Sequence, residues 1–253
     1  DLDKGAPELR QDSRYNKDNA FVVDNYSTSS DVLVLMAETP REQCASYEAL
    51  DAIDRLMWTM ENVKGVQSAV SVVSVSKLVS KGMNEGSLKW SALSRNQNIL
   101  NSSIQRAPSG MLNQDCSMVP VIIFLNDHKA ETLERAVNTA AAFAKKYEGN
   151  EAVQFKLASG NAGVEAATNQ VIAEAQTLML IFVYIVVSVL CFITFRSIRA
   201  IICIITPLAL TSILCQALMA QMGIGVKVAT LPVIALGVGI GVDYGIYIYN
   251  RLE

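Results

Sequence analysis

The sequence predicts an α+β soluble domain of βαββαβ order followed by three membrane-spanning helices. The first observation behind this is a composition that changes once along the chain. Up to about residue 170 charged, polar and apolar residues are mixed, whereas from about Leu178 onward charges nearly vanish. The second is the alternation of short β-rich runs with helical periodicity in the mixed part. The third is a set of apolar stretches at roughly 172–195, 199–222 and 226–250, each near the ~20 residues a helix needs to cross ~30 Å of hydrocarbon. None has the make-up of a cleaved signal sequence. The chain therefore divides into a linker over 1–30, a soluble domain over 31–160 and a membrane domain over 161–253.

The soluble elements follow in order. Asp31 to Glu38 is a β-rich run. Thr39-Pro40-Arg41-Glu42 has the form of a capping box with proline at the first helical position, so a helix is expected to start there. Leu50, Ile53, Met57 and Met60 recur at helical spacing until Gly65 ends the element. A second strand is expected from Val66 to about Val79 and a third from Met118 to Leu125. Asp127 then caps a helix with Leu133, Val137, Ala140, Ala144 and Tyr147 on one face, and Val153 to Leu157 forms the last strand. This is the split βαβ order. A polar excursion at about 80–115, too long for a hairpin, interrupts it; contact with a partner or substrate and a solvated insertion without specific role are equally open.

In that topology the first and third strands are antiparallel neighbours, which brings the end of the first beside the start of the third. Cys44 and Cys116 lie near those points, so a disulfide is expected if the domain faces an oxidising compartment, two unpaired buried thiols being the alternative. Cys191, Cys203 and Cys215 fall in apolar stretches and read as small packing residues. Arg196 and Arg199 between the first two spans, and Arg251 after the third, place those ends in the cytoplasm and the soluble domain outside, with Lys227 the one positive charge against this.

A net charge of −3 and the lack of a basic stripe with interleaved aromatics give no reason to expect nucleic acid. His128 stands alone at a helix start, so the residues offer no metal cluster, no catalytic triad and no nucleophile, and neither an enzyme nor a bound cofactor is expected. Gly237-Val-Gly-Ile-Gly241 is superficially similar to a dinucleotide loop but sits inside a membrane-length run without a strand-to-helix phosphate turn. Glu174 at the outer mouth of the first span, and Pro207 and Pro232 within spans, have adequate interfacial or packing explanations.

Asp243 is different. It lies near the end of the run from Val228 to Ile248, beside Tyr244 and among Gly237, Gly239, Gly241 and Gly245. A carboxylate at mid-span costs about 2.5–3.5 kcal/mol on insertion scales, so it calls for a partner or a role in ion movement. Gly237, Gly241 and Gly245 recur every four residues and form a smooth stripe for close helix approach, while Gly239 and Asp243 lie on another. Burial raises a carboxyl pKa and a nearby hydroxyl or cation restores it, so such a group can load and release protons. Tyr247 and Tyr249 read as interfacial anchors.

With a βαββαβ domain leading through Gly160 to Gln176 into the spans, the Phe195-Arg-Ser-Ile-Arg199 turn, Pro207, and Leu236-Gly-Val-Gly-Ile-Gly-Val-Asp-Tyr-Gly245, the chain resembles one half of a resistance-nodulation-division (RND) transporter. The Asp-Tyr pair is closer to the mycobacterial-membrane-protein-large (MMPL) branch than to the drug-efflux branch, which has two adjacent aspartates there. The resemblance implies a periplasmic porter domain, a bacterial inner-membrane location, and export of hydrophobic or lipid-like substrates driven by protons through Asp243 and Tyr244. It also implies that the first span, the last two spans and the other half lie outside this sequence, that residues 1–30 are the linker after the first span, and that the partners are that other half, the bilayer, the substrate and further copies of the protein. A sterol-sensing-type scaffold or receptor, and an accessory subunit of protein translocation, are the alternatives.

Overall fold

The computed structural model describes residues 10, 12–127, 129–221 and 231–252. It falls into two compact units divided between Ala166 and Ala167. The first contains α1 (Arg14–Asn25), β1 (Val32–Glu38), α2 (Tyr47–Glu61), β2 (Val66–Val70), α3 (Val72–Met83), a 3-10 turn (Leu88–Trp90), α4 (Gln97–Ile104), β3 (Met118–Leu125), α5 (Ala130–Lys146) and β4 (Gln154–Ser159). Then come α6 (Asn161–Phe195), α7 (Ile198–Gln221) and α8 (Leu231–Leu252).

The four strands form one sheet in the order β2-β3-β1-β4, and every neighbouring pair is antiparallel. Strict alternation sets its two faces. Leu33, Leu35 and Ala37 of β1 and Val119, Val121, Ile123 and Leu125 of β3 are buried, together with Leu50, Ile53, Leu56 and Met60 of α2 and Leu133, Ala136 and Ala140 of α5. The opposite face, with Val34, Met36, Pro120, Ile122 and Phe124, is only half-buried although it is apolar.

Several local expectations are corrected. The segment expected as one strand from Val66 to about Val79 is the short β2 followed by α3. Ser71 decides the change: its hydroxyl accepts from the Val73 N–H and its own N–H donates to Ser74 Oγ, a reciprocal cap. Val72, Val73, Ser76 and Ser80 then face inward at helical spacing. The β-branched residues that suggest a strand express only a weak preference, which the cap and the buried face override.

The α2 helix starts at Tyr47 with Ser46 as its cap, not at Thr39. The N–H groups of Thr39, Glu42 and Cys44 donate instead to the carbonyls of Ser117, Asp115 and Cys116, so this stretch runs laterally against the approach to β3. Gly65 does not close α2, which ends at Glu61 with Asn62 as its cap; it turns the chain into β2 at φ +100, where a Cβ would lie 2.6 Å from Thr132 Cγ2. Asp127 likewise does not cap α5, since Lys129 holds that position and Asp127 Oδ1 accepts from its N–H. The excursion at 80–115 carries the end of α3, the 3-10 turn and α4, and the linker over 1–30 carries α1. A buried hydroxyl pair, Ser76 with Ser103 at 2.8 Å, joins α3 to α4.

At the far end of β1 a disulfide joins Cys44 to Cys116, with Cα atoms 5.1 Å apart and the two residues 72 positions apart in sequence. Cys44 is fully buried. The bond closes the loop containing α2, β2, α3 and α4 at its base.

In the second unit, two described helical segments are long and apolar enough to cross a membrane: Leu178–Phe195 and Ile198–Met219. The helix bearing Asp243 begins at Leu231, and the expected start of its span at 226, like Lys227, lies outside the described residues; so does His128. The side chains of Glu174 and Pro232 are also outside them. Cys191 is buried, whereas Cys203 and Cys215 are exposed. Arg196 leaves α6 in the left-handed region at φ 49, its N–H donating to the Phe192 carbonyl.

Candidate functional site

The second unit has a small closed centre. Leu208 of α7 and Val238 and Val242 of α8 are buried, with Leu180, Val183, Tyr184 and Val187 of α6, Ile205 of α7 and Ile246 of α8 packed against them. Helices in lipid gain little from apolar contact alone, so close packing and polar ties decide where they meet. Both are present. A Cβ on Gly241 would lie 2.5 Å from Leu208 Cδ1, and one on Gly245 would lie 3.0 Å from Ile204 Cγ2. Tyr184 Oη and Ser212 Oγ lie 2.8 Å apart across α6 and α7, and the rings of Phe195 and Tyr249 meet edge to face at 5.1 Å between α6 and α8.

The glycine stripe thus divides by position. Gly241 and Gly245 form the seam with α7, whereas a Cβ on Gly237 or Gly239 would meet nothing within 4 Å. At ~100° per residue Asp243 lies about 160° around α8 from both seam glycines. Its side chain is exposed, as is that of Tyr244, which is 68% accessible. Asp243 and Tyr244 therefore share a helix stretch with the seam but occupy a different surface of α8.

This arrangement has a chemical consequence. Small residues on one side let α8 sit tightly on α7, leaving the carboxylate side available to a further helix. Chain order places Tyr244 next to Asp243, so one surface presents an ionisable carboxyl and a phenol that can both donate and accept. Tyr247 is also exposed, while Tyr249 is partly covered by its contact with Phe195. The Tyr184–Ser212 tie is not legible in the sequence. Its signal there is two hydroxyl-bearing residues in successive apolar runs, but periodicity does not reveal which two face each other.

The family model for the MMPL family matches residues 13–253. Among curated proteins, none matches the chain.

Proposed function

The chain belongs to the MMPL family, and from that membership we propose that it is part of a proton-driven exporter of hydrophobic or lipid-like substrates. The observation that carries this reading is Asp243, followed by Tyr244, on the surface of α8 opposite its glycine seam. A carboxylate placed there by chance would only penalise insertion. Given a partner helix from the remainder of the transporter, Asp243 takes up a proton on one side and releases it on the other, and Tyr244 orients or relays it by hydrogen bonding. The third span, formed by α8, belongs to this proposal.

The driving force is sufficient in size. One charge crossing the membrane is worth about 2.3 kcal/mol per 100 mV, and each pH unit adds about 1.4 kcal/mol per proton. A few kcal/mol strongly biases a two-state rearrangement. Placement of the soluble unit in the periplasm is supported by the Cys44–Cys116 bond, since disulfides persist in oxidising compartments. The half-buried apolar sheet face through Val34, Met36, Ile122 and Phe124 supports a greasy substrate in preference to a polar one. No part of this reading calls for an enzymatic step or a cofactor beyond the coupling proton.

The test is Asp243→Asn in the full-length gene in the native host, compared with wild type and a deletion for membrane abundance, envelope lipids and sensitivity to toxic compounds. A normally expressed variant that matches the deletion supports proton-coupled export, and the lipid or compound that changes identifies the substrate class. A variant matching wild type, under conditions where the deletion has a phenotype, overturns the coupling role and favours a lipid receptor or scaffold.

A further inference from the structure

The insert between β2 and β3 has a tip that proton coupling leaves without a role. It lies where α3 passes into the 3-10 turn, and every residue from Gly82 to Ala92 except Asn84 is exposed there. Four large apolar side chains lie in or beside it. Leu88 is 77% accessible and Leu78 70%, more than any large apolar side chain described in α6, α7 or α8, and Met83 and Trp90 are exposed with them. Exposed apolar residues scattered singly need no explanation, whereas several within one short segment mark a contact surface.

The tip is built, not frayed. The α3 helix ends with Asn84 as its cap, and Asn84 Nδ2 donates to the Ser80 carbonyl at 2.8 Å. Glu85 at φ 56 and Gly86 at φ +77 turn the chain, and the Gly86 N–H returns to the Lys81 carbonyl at 2.9 Å, the six-to-one bond of a Schellman end. The N–H groups of Trp90 and Ser91 then donate to the carbonyls of Ser87 and Leu88. At the base, the Ser76–Ser103 hydroxyl pair ties α3 to α4, whose Leu100 is fully buried. An ordered backbone thus presents the apolar side chains, which lowers the ordering cost of binding.

Charge indicates what the tip meets. From Lys77 to Arg95 there are four cations and one carboxylate, Glu85, in a chain whose net charge is −3. Lys77 is held by Asp54 at 2.6 Å and Arg95 lies over the Tyr47 ring, whereas Lys81 and Lys89 form no ion pair among the described residues. Lys81 follows Leu78 by three residues on α3, and Lys89 sits between Leu88 and Trp90. Leucine, tryptophan and lysine together suit the boundary of a bilayer, where the apolar groups enter the acyl region, the indole stays at headgroup level and the ammonium groups meet anionic lipid. A protein partner fits less well, because lysine is depleted in the centre of protein interfaces. A substrate cleft fits less well too, because it is concave and covers the side chains that line it. Trp58 gives the contrast within the same unit: it is about as exposed as Leu78, but stands alone on α2 with Asp54 and Glu61 a turn away on either side.

We propose that residues 78–90 form a lipid-docking tip through which the soluble unit engages the surface of a bilayer that contains anionic lipid. Leu78, Met83, Leu88 and Trp90 enter the boundary between headgroups and acyl chains, and Lys81 and Lys89 hold the headgroups. This contact is separate from proton coupling at Asp243 and does not depend on it.

The experiment is flotation of purified full-length protein, its membrane helices shielded in a non-ionic amphipol, with vesicles of phosphatidylcholine alone or of phosphatidylcholine and phosphatidylglycerol at about two to one. The expected result is that wild type floats with the anionic vesicles and much less with the neutral ones. Leu88→Ser with Trp90→Ser, and Lys81→Gln with Lys89→Gln, each lower the ratio of bound to free protein about tenfold or more. Tm stays at the wild-type value in both, since these side chains contribute little to the core, and Trp58→Ser binds like wild type. Wild type that floats with neither vesicle overturns the proposal, and a photo-crosslinking residue in place of Leu88 then shows whether another part of the protein or a second copy covers the tip. Equal flotation with both vesicles also overturns it, as does wild-type binding by either double variant. Loss of binding only in step with a lowered Tm in both overturns it as well.

Discussion

Ile53 and Ile213 have the same side chain and opposite placements: the first is fully buried in the α+β unit, and the second is 64% exposed on α7. Leu50 and Leu214 repeat the contrast, at 0% and 60%. In the soluble unit water drives apolar side chains inward, so alternation in β1 and β3 and helical spacing in α2 directly specify a core. In the membrane unit lipid satisfies apolar surface as well as protein does, and the informative residues are those that are small or polar. Gly241, Gly245, Tyr184 and Ser212 mark where these helices meet, while exposed side chains such as Ile213 and Leu214 show only that the helices suit hydrocarbon.

This contrast can be broken by experiment. The largest effect is expected on removing the disulfide. Cys44→Ala with Cys116→Ala should destabilise the soluble unit by about 4 kcal/mol, because a closed loop of that length no longer restricts the unfolded chain. Thermal unfolding of full-length protein in detergent, with and without reductant on wild type, would show it; identical curves for all samples would remove the bond from the account.

Next comes Leu50→Ala, at about 3 kcal/mol, against Leu214→Ala at under about 0.5 kcal/mol. Equal losses would mean that Leu214 is covered in the assembled protein and that the contrast is weaker than stated. Gly241→Leu follows, at about 1–3 kcal/mol from overpacking against Leu208, whereas Gly237→Ala should be neutral. Unfolding in SDS measures both, and a costly Gly237→Ala would place a further helix against that position. The smallest effect is for Tyr184→Phe, about 0.6 kcal/mol, typical of hydrogen bonds between helices in membranes. A much larger loss would mark the Tyr184–Ser212 pair as more than a tie.

Legibility follows the same division. An α+β unit with an antiparallel sheet is readable because burial with period two and period 3.6 leaves a trace in composition. The errors fall where local signals compete. Ser71 caps a helix within a valine-rich run that also suits a strand, and Thr39 to Cys44 spends its N–H groups on residues 115–117, whose proximity no local window contains. In the membrane unit, apolar runs and the Asp243-Tyr244 pair are readable, but the assignment of Gly241 and Gly245 to the seam, and not Gly237, requires the path of α7.

The sequence by itself determined which region is apolar enough for hydrocarbon and which ionisable residue stands out within it, because the cost of a charge in hydrocarbon and the periodicity of buried residues are properties of residue type and spacing. It therefore singled out Asp243 and separated a soluble region from a membrane region. Tertiary structure alone decided which groups meet across long separations: the side of α8 that carries the carboxylate relative to its seam, the lateral bonding that delays α2, and the hydrogen bonds that Asn161 accepts from the Val32 N–H and donates to the Ser30 carbonyl. Hydrogen bonds and steric contacts act over a few ångströms in space, and position along the chain does not encode that distance.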